Sequence, residues 1–219
     1  MQRGYLVIAN DVAADAEDEF NRWYQNEHLP ERLGVPGFNN VRRYVAENAT
    51  LQYFAIYETD DPDVLTSPAY RERLSAPTPW TQRMMPSFRN MHRTVMRADY
   101  RAMRGMGALL DLIVLDATVD ATHLTFDRIA AALAEDAAFE GLLVLAQVGQ
   151  ASASGTTEGS LRGGPDAAMA RAAVVQWSAL PRHRPPEPHV AFERAGLYRG
   201  DTIGGRYRLM TARGRFDFA

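Results

Sequence analysis

The sequence predicts an α+β fold in which tandem ferredoxin-like β-α-β-β-α-β units form an α/β barrel, the second copy being degenerate. Three observations lead there. Apolar runs of strand length recur four to a half, helical spacing falls in the same places within each half, and Pro- and Gly-broken connectors separate them.

The elements follow in order. Residues 5–9 read as a first strand, with Asn10-Asp11 as the turn after it. From 15 to 32 the spacing is helical, with Phe20, Trp23 and Tyr24 on one stripe and acids at the start. Pro36-Gly37 makes a turn, and 38–47 and 51–58 form a hairpin across Asn48-Ala49-Thr50. Pro62, Pro68, Pro77 and Pro79 limit 60–85 to short helices, the best at 68–75. Residues 88–100 are a long, Arg-studded strand. In the second half 109–115, 142–148, 172–177 and 206–211 read as strands, and 124–133 and 189–197 as helices. The Gly-, Ser-, Ala- and Thr-rich stretch 150–166 reads as a long flexible loop with a mobile tip at 162–165. The junction at 103–107 divides the chain into 1–104, which carries the site, and 105–219, its degenerate partner.

Composition narrows the chemistry. At 219 residues, 46% hydrophobic and 23% charged, the chain is that of a soluble globular protein. Cysteine is absent, which removes thiolate nucleophiles, Cys-based metal sites and disulfides. All 24 cationic side chains are Arg, so Schiff-base, pyridoxal-phosphate and Walker-lysine chemistry are excluded as well. A net charge of −3 with interspersed signs argues against nucleic acid as a partner. No apolar stretch is long enough to span a membrane, and the first run is too short for a signal-peptide core. The expected location is therefore cytoplasmic.

A sheet with helices on one face must bury its other face, against the second copy in the chain or against another chain in a homodimer. Either arrangement places a cavity for a small-molecule ligand between the sheets. Strand alternation assigns its wall. Phe54 and Ile56 are expected on the helix side, with Tyr53, Ala55 and Tyr57 facing the cavity. Val41 and Val45 face the helices and Arg42 and Tyr44 the cavity, while Asn90, His92 and Thr94 lie opposite Met91 and Val95. The expected wall is Arg42, Tyr44, Tyr53, Tyr57, Asn90 and His92.

Helix one carries the strongest signal. Extending its stripe by one turn lands on Glu27 and His28, where Leu or Ile would be normal. Pro30 disfavours helical geometry at Leu29, so the helix should end just past His28, where its dipole favours an imidazolium. His28 is then a candidate general acid–base, oriented by Glu27 or Tyr24, and the Glu27 carboxylate should raise its pKa above about 6.5. The plainer reading is a structural histidine bonded to a carbonyl, with Glu27 solvated. None of the five histidines pairs at zinc-like helical spacing, so no metal is expected, although His28, His92 and a distant carboxylate could still converge. G-x-S-x-G, P-loop and G-x-G-x-x-G motifs are absent, and Gly204-Gly205 reads as a turn or bulge.

The run Phe20-Asn21-Arg22-Trp23-Tyr24-Gln25-Asn26-Glu27-His28-Leu29-Pro30, followed by Val35-Pro36-Gly37-Phe38 and Arg42-Arg43-Tyr44, resembles the EthD-like branch of the dimeric α/β-barrel superfamily. There a W/Y-x-x-x-H-x-P segment ends the first helix and Pro-Gly opens the second strand, a pattern that Tyr24, His28, Pro30, Pro36, Gly37 and Tyr44 fit. The resemblance covers the first hundred residues. In the second half His123 precedes its helix and no His-x-Pro occurs, so that half is expected to be scaffold. The resemblance implies cofactor-free chemistry on small, often aromatic or polyketide-like molecules. The expected function is an isomerase, lyase or monooxygenase-like enzyme without a cofactor. His28 would shuttle a proton, Arg42 would hold a carboxylate or enolate, and Trp23, Tyr44, Tyr53, Tyr57, Asn90 and His92 would contact substrate. The alternative is a non-catalytic small-molecule binder or accessory protein.

Overall fold

A computed structural model of the chain describes residues 3–148, 155–163, 165–180, 187–198, 200 and 203–215. The first half runs β1 (Gly4–Val12), α1 (Glu17–Trp23), α2 (Leu29–Leu33), β2 (Phe38–Ala49), β3 (Tyr53–Thr59), α3 (Pro68–Ser75), α4 (Pro79–Met84) and β4 (Phe88–Met103). The second runs β5 (Leu109–Val114), α5 (His123–Leu133), β6 (Phe139–Gln147), α6 (Thr157–Leu161), β7 (Arg171–Trp177), α7 (Pro188–Arg194) and β8 (Gly204–Gly214). Ser67 and Thr78 cap α3 and α4 by accepting from Tyr70 N and Thr81 N, which fixes two helices in the proline-broken segment.

All eight strands form one closed antiparallel barrel in the order β1-β3-β2-β8-β5-β7-β6-β4. Read from β4, the first half is β4-β1-β3-β2; read from β8, the second is β8-β5-β7-β6, the same order twice. Closure therefore occurs within one chain, through the β2–β8 and β4–β6 seams. The β2–β8 seam shifts register between Ala46 and Asn48, where Gly205 has φ +124 and a Cβ would meet the Asn48 carbonyl at 2.3 Å. Only glycine allows that close approach, while the extra residue of the shift is Glu47 on β2, so the bulge expected at Gly204-Gly205 lies on the strand opposite them.

Two kinds of core result. Inside the barrel, Tyr5, Val7, Tyr44, Phe54, Ile56, Leu143, Val174 and Tyr207 meet from both halves. Phe54 lies 5.9 Å from the Tyr44 ring and 5.6 Å from the Tyr207 ring. Outside it, helices cover each half with separate apolar clusters. This reverses the expected sidedness of β3. Tyr53, Ala55 and Tyr57 face the helices, and Phe54 and Ile56 fill the barrel. Every residue of β3 is buried, so both faces are apolar and hydrophobic alternation could not orient the strand.

The stretch read as a loop at 150–166 is only partly within the described residues, and what is described is ordered in two ways. Residues 157–161 form α6. Ala167 then lies along β4, accepting from Arg93 N and donating to the Met91 carbonyl, each at 2.9 Å, while Met169 N donates to Thr94 Oγ1. A second-half connector thus packs against the first half.

Truncating a side chain that fills the barrel should be costly. Phe54→Ala is expected to lower unfolding free energy by about 3–5 kcal/mol in urea titration. A loss below about 1 kcal/mol would place Phe54 outside the packed interior.

Candidate active site

The Glu-His-Leu-Pro sequence does not break the helix. Tyr24–His28 form a π turn in which Leu29 N–H bonds the Tyr24 carbonyl, and α2 follows directly with Pro30 in its first turn. Widening the turn accommodates a residue that lacks an N–H and would clash in a regular ladder. Leu29 keeps helical angles, φ −63 and ψ −49, so the expected end after His28 is corrected. His28 lies inside a continuous helical run and gains no carboxyl-terminal dipole.

The His28 ring is buried, 4.5 Å from the Trp23 ring and 4.7 Å from that of Tyr24, and among the described residues its Nδ1 has no hydrogen-bond partner. Glu27 turns elsewhere. Its Oε1 accepts from Trp23 Nε1 (3.1 Å), Thr78 Oγ1 (2.5 Å) and Thr81 Oγ1 (3.0 Å), tying α1 to the start of α4. Glu27 is thereby a structural acceptor. Burial holds the His28 pKa well below 6.5, and the Arg32, Arg43, Arg162 and Arg93 guanidiniums lower it further. The expected raised value is corrected: the carboxylate meant to raise it is engaged by α4, and cations surround the ring.

His28 lines a narrow pocket between the helices and the outer face of the first-half strands, with Tyr24, Arg32, Tyr57, Tyr70, Arg93 and Glu158. Its free space is about 20 Å³, room for about one water. The Tyr24 and Tyr57 hydroxyls share one hydrogen bond of 2.9 Å, which leaves the accepting hydroxyl's own proton available for a third oxygen. Burial raises both phenolic pKa values, Tyr57 well above 10, so both stay protonated. Arg32 Nη2 donates to both Glu158 oxygens, at 2.5 and 2.6 Å. Arg93 Nη2 donates to Tyr70 OH at 2.9 Å. Arg43 lies 4.1 Å from the Tyr24 ring centre and 4.5 Å from that of Tyr53, and donates to Asn21 Oδ1. Arg32, Arg43 and Arg93 are all buried, and among the described residues neither Arg43 nor Arg93 pairs with a carboxylate. The pocket is rich in buried positive charge.

The expected binding wall is divided by the sheet. Trp23, Tyr24, His28, Tyr53 and Tyr57 gather on the helix side. Arg42 and Tyr44 lie inside the barrel, where Gln176 Nε2 donates to Tyr44 OH. His92, half-buried, pairs with Ala9 on the interior face of β4. Asn90 sits exposed at a bulge, with φ 49, and its Nδ2 donates to Asp11 Oδ2. The cavity is thus on the helix side of the sheet and not between the sheets, because aromatic side chains fill the space between them. Sequence reasoning missed Arg32, Arg43, Arg93 and Glu158. Arg43 shares its face with Val41 and Val45, and Arg93 with Met91 and Val95, so a cation within an apolar stripe was the available signal. Glu158 gave none, since it stands in a small-residue connector.

A larger cavity of about 330 Å³ lies on the second half, beside Asp111, His189, Tyr198 and Arg206. Of its two carboxylates, Asp111 and Glu187, Asp111 is already satisfied: it accepts from Arg206 Nε and Nη2 at 2.9 Å and from Trp177 Nε1 at 2.8 Å. Among the described residues, three buried nitrogens without partners, His28 Nδ1, Arg32 Nη1 and Arg93 Nη1, belong to side chains that line the His28 pocket.

No protein-family profile matches the sequence. No curated protein matches it either. Solved structures do. An anthrone oxidase-like protein superimposes with a TM-score of 0.60 at 9% identity, over 97% of this chain and 93% of that one. A provisionally assigned monooxygenase from Fusobacterium nucleatum gives 0.55 at 9% identity, over 98% and 95%. A provisionally assigned chlorite dismutase gives 0.53 at 10%, over 96% of each chain. These likenesses bear on the fold alone, an antiparallel α/β barrel, here closed within a single chain.

A histidine that resists protonation in the folded state destabilises the fold in acid. The unfolded chain takes up a proton near pH 6.5 and the folded chain only well below it. Stability is therefore full above about pH 6.5 and falls as pH drops, levelling once the folded value is passed. The expected slope from His28 is at most about 1.4 kcal/mol per pH unit. Urea titrations between pH 5 and 7.5 should show His28→Gln with a shallower decline than the natural chain; an equal or steeper decline would contradict it.

Proposed function

We propose that the chain is a small-molecule enzyme of the EthD-like branch that works without a cofactor, using neutral His28 to take a proton from an acidic carbon or hydroxyl of a partly aromatic or polyketide-like substrate. The observation that carries this reading is an unpartnered imidazole nitrogen in a buried pocket dominated by guanidinium charge. The C–H or O–H electron pair stays on the substrate as an enolate or phenolate, and the proton goes to His28. A lowered pKa makes His28 a weak base but keeps it unprotonated at neutral pH, which suits substrates with acidic protons. The proton left over on the Tyr24–Tyr57 pair would hydrogen-bond the new oxyanion, and Arg93 would balance its charge. Return of the proton at another carbon is isomerisation, and loss of a leaving group from the same anion is a lyase reaction.

The likeness to an anthrone oxidase-like protein supports an aryl ketone with an acidic methylene as probe. Deuterium exchange at that methylene, followed by NMR over a panel that includes anthrone, reads the proton step alone. The natural chain should accelerate exchange over buffer, and His28→Gln should lower that acceleration about 100- to 10,000-fold. Binding without any acceleration would favour the accessory-protein reading.

A further inference from the structure

We infer that the His28 pocket takes an aromatic carboxylate, which replaces the Glu158 carboxylate against Arg32. The inference rests on reading this pocket as the active site and names its substrate class.

Among the described residues, three charged or polar groups that line this pocket carry a buried nitrogen with no partner: Arg32 Nη1, Arg93 Nη1 and His28 Nδ1. Buried donors of this kind are costly to leave unmet. Among the described residues, the only carboxylate bonded to Arg32 or Arg93 is that of Glu158, and both its oxygens lie on Arg32 Nη2. Arg162, also at the pocket, is satisfied by Asp166 at 2.8 Å. A planar carboxylate suits a guanidinium fork, and Leu74, Met85, Phe88 and Met91 provide an apolar wall for an attached ring.

Space decides how such a ligand fits. With about 20 Å³ free, no ring enters beside Glu158; it must take the volume that side chain fills. Glu158 and Arg162 are the charged lining groups that stand on neither a barrel strand nor the α1–α2 run. Glu158 sits on a five-residue helix, α6, bracketed by Gly155 and Gly163, both at φ +80. Thr157 Oγ1 donates to the Ser75 carbonyl at 3.0 Å. Glu158 is a removable counter-ion supplied from the opposite half of the chain.

Benzoate, with benzamide as neutral isostere, tests this by calorimetry and thermal unfolding. Glu158→Ala removes the only carboxylate on Arg32 among the described residues, so its Tm should fall without ligand and recover with benzoate but not with benzamide. Its Kd for benzoate should be at least tenfold tighter than that of the natural chain, and adding Arg32→Gln should abolish the gain. If Glu158→Ala fails to fold, Glu158→Gln keeps the shape and should show the same order of affinities. Equal benzoate affinity in natural chain and variant, or equal response to benzoate and benzamide, overturns the inference and leaves Glu158 a structural strut. The readout needs no turnover: benzoate binding with no proton exchange refutes the catalytic reading alone, and exchange without benzoate preference refutes this one alone.

Discussion

A four-stranded sheet covered by helices on one side must still bury the other, and in this chain two such sheets close on each other into one barrel. Much else follows. The interior fills with Tyr44, Phe54, Ile56, Tyr207 and their neighbours from both halves, so the space between the sheets is spent on packing. A pocket can then form only between a sheet and its helices, and the one beside His28 is found there. Closure also brings the β6–β7 connector alongside β4, where Ala167 joins the strand and α6 reaches the first-half helices. A half that looks like scaffold by its own motifs thus contributes Glu158 to the site.

The charges of that pocket are unevenly paired. Buried guanidiniums are expensive unless paired, and breaking a buried pair costs more than replacing both members. Arg32 meets the cost with Glu158; burial opposes its charge, and the carboxylate more than restores it, leaving the guanidinium pKa raised. Arg43 instead stacks on Tyr24 and Tyr53, burial pulling its pKa down, and Arg93 leans on the Tyr70 hydroxyl. Burial first, and then the charges of four guanidiniums, hold the His28 pKa low and its imidazole neutral. The same field that denies His28 a proton would favour an anion formed next to it, so base and anion stabilisation arise from one arrangement.

The fold was legible because strand and helix periods survive in each half, and because β-α-β-β-α-β leaves few topologies. His28 was legible as a polar residue on an apolar helical stripe, and Tyr57 as an aromatic beside it. The side of the sheet on which they meet was not. β3 is buried on both faces, so alternation carried no sign, and Arg42 was preferred to Arg43 although Val41 and Val45 already marked the helix side. The charge state of His28 was misjudged for a different reason. Adjacency in sequence placed Glu27 near the ring, but successive helical residues diverge, and Thr78 and Thr81 from α4 captured the carboxylate. Glu158 depends on a pairing 126 residues apart, which no local pattern announces.

His28 is neutral because burial and guanidiniums outweigh any carboxylate near it. An NMR titration of the His28 ring, assigned against His28→Gln, measures this directly. The expected midpoint lies clearly below the reference of about 6.5. A midpoint above that value would mean that a carboxylate governs the ring, and the neutral base in a cationic pocket would be wrong.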